Sequence, residues 1–279
     1  MLKLNGGAIE IIEKPREAFQ NQPPLFLIHD GSGICTHYHR LKAMNRAVYA
    51  LHDPKFLDPI DAWASLAQMA DHYADTIAAV SPGPLLMGGW SFGGVVAFEV
   101  ARRLLTRGHH IVGTVLIDAP APLKHQPLPP AIIDAVTSIQ ESSRSASTEA
   151  TRAARYFVRR SFASCANLLG SFQTPKLPST RSQYMPHGSE APIPRVFLLI
   201  SQEGWRHPTD AAFMEHIWLQ DRSDPRTSIT GWETVTGCNS IPWVAIPGNH
   251  FQAFDPANID AVTEAMRHAA RELELTITV

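Results

Sequence analysis

One segment, residues 85–100, reads Leu-Leu-Met-Gly-Gly-Trp-Ser-Phe-Gly-Gly-Val-Val-Ala-Phe-Glu-Val. Its apolar first part predicts a buried strand over 85–89, and the apolar residues at helical spacing over 92–105 predict a helix that follows at once. Between the two lies the pattern G-x-S-x-G, formed by Gly89, Ser91 and Gly93. So tight a turn strains the serine backbone and leaves no room for side chains at the flanking positions. The segment therefore predicts a nucleophile elbow that presents the Ser91 hydroxyl.

Strand-like and helix-like segments alternate on both sides of this turn. This order is typical of a mostly parallel sheet covered by helices on both faces. Apolar runs predict further strands at 25–28, 47–51, 112–117, 196–201 and 243–246, and helical periodicity marks 61–80, a segment around 210–219 and 259–275. We therefore expect an α/β fold of the α/β-hydrolase type, in a single domain over residues 1–279.

The residues from 121 to 190 break this alternation. Prolines, serines and threonines are concentrated in stretches of this segment. We expect a partly helical insertion that forms a lid over an apolar substrate chamber, although a surface insertion without that role stays open. The side chains predicted to line the chamber are Trp90, beside the serine, and the lid residues Ile132, Ile133, Val136, Phe157, Leu168 and Leu169.

Composition excludes several classes of protein. The 279 residues are 44% hydrophobic and 18% charged, as in ordinary globular proteins, and a net charge of −2 with scattered basic residues gives no footprint for nucleic acid. The three cysteines, Cys35, Cys165 and Cys238, lack the spacing of a zinc site or a disulfide framework, so we expect no metal and a reducing, cytoplasmic compartment. Neither a signal peptide nor a membrane span is visible in the sequence.

A serine hydroxyl becomes a strong nucleophile only when a positioned base removes its proton. In an α/β hydrolase the base is a histidine after the last strand, and the acid that orients it lies between serine and histidine in the chain. His250 follows the last predicted strand in the turn Pro-Gly-Asn-His. Asp118 and Glu203 both satisfy the order for the acid. We prefer Asp118, because it lies directly at a strand end, whereas Glu203 lies in a Ser-Gln-Glu-Gly turn.

The oxyanion of the tetrahedral intermediate needs backbone donors. The helix that follows the elbow offers the N–H of Phe92, and the glycine-bearing turn after the first buried strand offers that of Gly31 or Ser32. A simpler reading of the elbow stays open, in which the two glycines only allow close packing and Ser91 is an N-cap.

Taken together, these motifs resemble the thioesterase domains that end fungal polyketide synthases and some peptide synthetases. The resemblance is carried by residues 25–33, 50–56, 88–94, 116–122 and 248–251, which read LFLIHDGSG, ALHDPKF, GGWSFGG, LIDAPAP and GNHF. It covers most of the chain and weakens across the insertion.

The resemblance implies Ser91, Asp118 and His250 as a catalytic triad. It also implies that the domain binds no cofactor of its own and that its partner is an acyl carrier protein, which presents a polyketide-type acyl thioester on phosphopantetheine. Release by water, by a substrate hydroxyl or by an internal carbanion would give an acid, a lactone or ester, or a Claisen-type ring.

The sequence leaves alternatives open. The chain begins at Met1, close to the thioesterase-like region, which is compatible with an excised domain and with a free-standing enzyme. A carboxylesterase acting on small oxygen esters would use the same triad. From another class, a catalytically silent α/β-hydrolase scaffold could serve in binding.

Overall fold

The structure is a computed structural model that describes residues 9–58, 60–123, 128–139, 149–172, 193–205 and 217–275. In these ranges strands and helices alternate. The strands are β1 (Ile9–Glu13), β2 (Leu25–Ile28), β3 (Val48–Leu51), β4 (Leu85–Trp90), β5 (Ile111–Ile117), β6 (Val196–Glu203) and β7 (Trp243–Asn249). The helices are α1 (Leu66–Ala78), α2 (Phe92–Thr106), α3 (Pro130–Ile139), α4 (Glu149–Ser171), α5 (Ile217–Gln220), α6 (Arg226–Thr236) and α7 (Ile259–Leu275).

These strands form one sheet in the order β1-β3-β2-β4-β5-β6-β7. β1 pairs with β3 antiparallel, and the other neighbours pair parallel. The carboxyl ends of β4, β5 and β7 therefore lie on the same edge of the sheet. Ser91, Asp118 and His250 each follow one of these ends, so a parallel sheet brings together residues that are far apart in the chain.

Both faces of the sheet are covered, and the side chains of its strands alternate between two apolar layers. In β2, Phe26 and Ile28 belong to the apolar layer that includes residues of α1, α2 and α6, whereas Leu25 and Leu27 belong to the layer that includes α7 and Tyr38 of a short 3-10 helix. This alternation follows from the two-residue period of a strand. The central strands are buried throughout, as the continuous apolar runs of the sequence predicted.

The predicted fold class is confirmed, but several boundaries were wrong. The antiparallel strand β1 and the helix α6 were not predicted. α1 begins at Leu66 rather than at residue 61, because the Ser65 side chain caps the helix by accepting from the N–H of Gln68. Of the helix predicted around 210–219, only 217–219 lie within the described residues, in α5.

The predicted insertion, 121–190, contributes α3 and α4, which pack against each other. Residues 124–127, 140–148 and 173–190 of the predicted lid lie outside the described residues.

Candidate active site

The turn between β4 and α2 has the geometry of a nucleophile elbow. Ser91 has φ 55° and ψ −124°, a strained conformation for a residue with a side chain. A Cβ added at Gly89 would lie 2.3 Å from the Gly93 backbone, and one added at Gly93 would lie 2.4 Å from the carbonyl oxygen of His29. The two glycines are therefore required by close backbone approach, as predicted. Although Ser91 is the N-cap of α2, its side chain makes no capping hydrogen bond.

Tyr38 supports the elbow from the opposite face of the sheet. Its buried hydroxyl donates to the carbonyl of Ile28 at 2.7 Å and accepts from the N–H of Trp90 at 3.0 Å. One side chain thus ties the end of β2 to the residue before Ser91. No sequence pattern had pointed to this tyrosine.

The structure brings Ser91, His250 and Asp118 into one hydrogen-bonded chain. His250 Nε2 lies 2.9 Å from Ser91 Oγ, and His250 Nδ1 lies 2.7 Å from Asp118 Oδ2. Both contacts are satisfied by the tautomer in which Nδ1–H donates to the carboxylate and Nε2 accepts from the hydroxyl. His250 and Asp118 are buried, whereas Glu203, the alternative acid, has an exposed side chain at the end of β6.

Arg222 also contacts the carboxylate of Asp118. Its Nη1 donates to Oδ1 at 3.0 Å and its Nη2 to Oδ2 at 2.9 Å, while the N–H of Ser201 donates to Oδ1 at 3.0 Å. Sequence reasoning missed Arg222, because the surrounding Asp-Arg-Ser-Asp-Pro resembles a solvated turn.

Burial and charge oppose each other at this carboxylate and its histidine. Burial raises the pKa of Asp118. Three groups oppose this effect and leave the pKa below its usual value: His250 through its hydrogen bond and charge, Arg222 through its charge, and the N–H of Ser201. For His250, burial lowers the pKa, Asp118 opposes this, and the Arg222 charge lowers it further. The net pKa of His250 is lowered, so the imidazole is neutral at pH 7 and able to accept a proton.

The backbone N–H groups predicted to bind the oxyanion, that of Phe92 and that of Gly31 or Ser32, differ in their surroundings. Phe92 is the first residue of α2, where the N–H has no acceptor within the helix. In the turn after β2, the Ser32 N–H donates to Asp30 Oδ1 at 3.1 Å, whereas Gly31 lines the same pocket as Ser91. This arrangement favours Gly31 over Ser32 as the second donor.

A pocket with a volume of about 830 Å³, its mouth included, opens above Ser91 and His250. Its walls are mostly apolar and rich in aromatic rings. They consist of Asp30, Gly31, Trp90, Ser91, Phe92, Pro120, Leu128, Val136, Phe162, Cys165, Ala166, Leu169, Trp218, Leu219, His250 and Phe251. Two wall residues are unusual. Burial raises the pKa of Asp30 to about 6, and burial also raises that of the Cys165 thiol, which therefore stays protonated.

The structure places three of the predicted chamber residues, Trp90, Val136 and Leu169, on this wall. The prediction is corrected for four others: Ile132, Ile133, Phe157 and Leu168 do not line the pocket. For Phe157 and Leu168 the reason is helical geometry, since the residues of α4 that line the pocket, Phe162, Cys165, Ala166 and Leu169, recur at intervals of three, one and three.

The four corrected residues pack elsewhere. Leu168 belongs to the core beside α2, and the ring of Phe157 lies 5.9 Å from that of Phe56. Ile132 packs with Trp205, and Ile133 is buried without reaching the pocket.

No cluster of three or more His, Cys, Asp or Glu side chains among the described residues could hold a metal ion. Within the same ranges, no helix combines the length and the apolar character that crossing a membrane requires.

Comparison with known proteins identifies the family. A family model described as Thioesterase domain matches residues 23–270. The chain belongs to this family. Sequence relatives of this thioesterase domain include an "Orsellinic acid synthase" of Beauveria bassiana (strain ARSEF 2860), 46% identical over 278 residues, and "Orsellinic acid synthase armB" of Armillaria mellea, 33% identical over 247. They cover 92% and 87% of the chain, which spans only 12% and 10% of those proteins.

Relatives of similar size also exist. "Thioesterase frbE" of Dothideomycetidae sp. (strain 11243) is 27% identical over 266 residues, with 90% of both chains covered. Among solved structures, a covalent complex of the NocB thioesterase domain with a fluorophosphonate nocardicin G analog matches with a TM-score of 0.65 at 24% identity. That match covers 94% of this chain and 98% of the other. At this identity it supports the α/β-hydrolase fold of the thioesterase domain.

Proposed function

We propose that this domain releases a polyketide-type acyl chain from an acyl carrier protein through an acyl-Ser91 intermediate. The observation that carries the proposal is the hydrogen-bonded chain from Ser91 through His250 to Asp118 at the base of an apolar pocket. Because the chain belongs to the thioesterase family, we infer that the bond it breaks is a thioester. The resemblance to thioesterase domains of polyketide synthases supplies the polyketide class of the acyl group, and a relative named "Non-reducing polyketide synthase PFUR17_0229" of Pseudevernia furfuracea, 28% identical over 269 residues, supports it.

The first half-reaction transfers the acyl group to the protein. Ser91 Oγ attacks the thioester carbonyl carbon while its proton passes to His250 Nε2, and Asp118 stabilises the resulting imidazolium. The N–H groups of Phe92 and Gly31 hold the oxyanion. The intermediate collapses as the carbon–sulfur bond breaks, and the phosphopantetheine thiolate takes the proton from His250.

The second half-reaction releases the acyl group to an acceptor. Water or a substrate hydroxyl gives its proton to His250 as its oxygen attacks the acyl carbon, and the proton returns to Ser91 Oγ when the ester bond breaks. In a Claisen-type release, His250 would take a proton from a carbon of the acyl chain, the resulting carbanion would attack the same carbonyl carbon, and the proton would pass to Ser91 Oγ as the ester bond breaks. In each case the domain binds no cofactor, because the acyl group arrives already activated as a thioester.

The insertion at 121–190 acts in this proposal as the lid of a single domain. Val136 of α3 and Phe162, Cys165, Ala166 and Leu169 of α4 supply one side of the pocket wall. An acyl chain attached to Ser91 must therefore contact the insertion, which makes these side chains the determinants of acyl size.

The proposal is tested by comparing two classes of substrate. A polyketide-type acyl group is presented on phosphopantetheine of a carrier protein and, separately, as a nitrophenyl ester, and turnover is followed for the wild type and for Ser91→Ala. We expect a higher kcat/KM for the carrier-bound thioester and loss of both activities in the variant. Turnover of the ester alone would favour a carboxylesterase, and no turnover of either would favour a binding scaffold.

A further inference from the structure

Arg222 forms a buried ion pair on the side of the triad that faces away from the pocket. The side chains of Arg222 and Asp118 are 5% and 1% exposed, and two parallel N–H···O contacts join them. By contrast, the pair of Arg46 with Glu274 leaves the glutamate 21% exposed. Burying a guanidinium and a carboxylate carries a large desolvation cost, so this pair is weak evidence for a purely stabilising role. Its position at the triad suggests a role in the reaction.

The segment that carries Arg222 reaches both sides of His250. Trp218, four residues earlier, lines the pocket, and its ring lies edge-on to the His250 ring with centroids 5.1 Å apart. The Arg222 guanidinium carbon lies 5.6 Å from the centroid of the same tryptophan ring. α5 thus supplies part of the pocket wall next to His250, and the turn after α5 supplies Arg222, the partner of Asp118.

The charge of Arg222 changes what Asp118 does for His250. A lone carboxylate 2.7 Å from Nδ1 would strongly favour the imidazolium, whereas a carboxylate already paired with a guanidinium favours it less. The histidine then stays unprotonated, and able to accept the Ser91 proton, at lower pH. A thioester also asks less of His250 than an oxygen ester does, since a thiolate is a far better leaving group than an alkoxide, the parent thiol having a pKa of about 8.5.

We propose that Arg222 is a positioning residue, which fixes Asp118 at His250 by its bidentate contact and sets by its charge the pH range in which Ser91 reacts. This inference rests on the proposed roles of Ser91 and His250.

Four charged or titratable groups of the described residues face the base or its pocket. They are Asp118 from the end of β5, Arg222 from the turn after α5, Asp30 from the turn after β2 and Cys165 from α4. Burial raises the pKa of the Cys165 thiol well above its usual value, so it stays neutral near pH 7. The pKa of Asp30 is about 6, so Asp30 titrates within the pH range over which Ser91 modification is followed. A test therefore has to separate Asp30 from Arg222.

The experiment measures the second-order rate constant for modification of Ser91 by a fluorophosphonate between pH 5 and 9. Wild type, Arg222→Gln, Arg222→Lys and the control Arg226→Gln are compared, and the first two are repeated with Asp30→Asn. Arg226 is 60% exposed and pairs with Glu233 on the surface. Circular dichroism checks that each variant folds.

The acid limb is the part of the pH profile in which the rate constant falls as the pH is lowered. We expect its midpoint to move up by about one pH unit in Arg222→Gln, with or without Asp30, because loss of a nearby positive charge makes the imidazolium more favourable. In Arg222→Lys the limb stays in place, but the maximal rate falls at least about tenfold, since an ammonium does not reproduce the two-pronged contact. Arg226→Gln behaves as the wild type.

An unmoved limb in folded Arg222→Gln would overturn the electrostatic role, and a full maximal rate in Arg222→Lys would overturn the positioning role. If Arg222→Gln does not fold, Arg222→Lys decides alone, because a displaced limb or an undiminished rate in that variant contradicts the inference. If wild-type Ser91 is not modified at any pH, the proposed function fails instead.

Discussion

Replacing Asp118 by Asn tests the assignment of the acid. The carboxylate accepts the Nδ1–H of His250 at 2.7 Å, and an amide of the same size can turn its NH₂ toward that nitrogen and select the unreactive tautomer. In serine proteases this replacement lowers kcat about 10⁴-fold, or about 5 kcal/mol at 1.36 kcal/mol per factor of ten. Because Arg222 already neutralises part of the charge of Asp118, we expect a loss of about 10³- to 10⁴-fold.

The assay is single-turnover acyl transfer from a carrier-bound thioester, with Glu203→Gln as the matched control. Glu203 is exposed, so its replacement should change the rate less than about twofold. Asp118→Asn leaves a buried guanidinium facing a neutral amide, which lowers the free energy of unfolding by about 3 to 5 kcal/mol. Thermal unfolding of each variant is therefore measured together with its rate. A large loss in Glu203→Gln together with a small one in folded Asp118→Asn would refute the assignment.

Three further predictions concern the elbow, the pocket and the buried carboxyl group. Gly93→Ala places a Cβ 2.4 and 2.5 Å from two backbone carbonyl oxygens, so it should lower the free energy of unfolding by about 3 kcal/mol or more in denaturant titrations, whereas Gly83→Ala meets no atom within 4 Å and should leave it nearly unchanged. Leu169→Trp should lower kcat/KM for bulky acyl thioesters at least about tenfold while sparing a small fluorophosphonate, and Phe157→Ala, outside the pocket, should not change this selectivity. The folded-state pKa of Asp30 is about 6, above its unfolded value, so ionisation of Asp30 destabilises the fold as the pH rises from 4 to 7. Over that interval the free energy of unfolding of Asp30→Asn should rise by up to about 3 kcal/mol relative to that of the wild type. Chemical denaturation measures this difference, and a difference that does not change with pH would contradict the prediction.

Much of the site could be predicted because its chemistry leaves local signals. The elbow needs glycines on both sides of Ser91, and a parallel sheet places the residues after successive strands on one edge. Asp118 and His250 were therefore found from their positions at strand ends. The sequence alone could not decide between Asp118 and Glu203 as the acid, since both come at the ends of strands of one sheet. Contact with His250 distinguishes them.

The contacts that escaped prediction depend on long-range packing. Arg222 meets Asp118 across a sequence separation of 104 residues, from a turn whose composition indicates a solvated surface. The orientation of the lid helices decides which apolar residues reach the pocket. Periodicity in the sequence shows which side of a helix is apolar, but it does not show which part of the protein that side packs against. Leu169 was therefore predicted together with Leu168, although only Leu169 lines the pocket.

The most direct test of the central claim is to locate the acyl group on the protein. The wild type and Ser91→Ala are incubated with an acyl-pantetheine thioester, quenched, and examined by intact mass and peptide mapping. We predict an added mass of one acyl group on the peptide that contains Ser91, absent from the variant. Acylation of Cys165, the other potential nucleophile on the pocket wall, or turnover by folded protein with Ser91 unmodified, would contradict the claim.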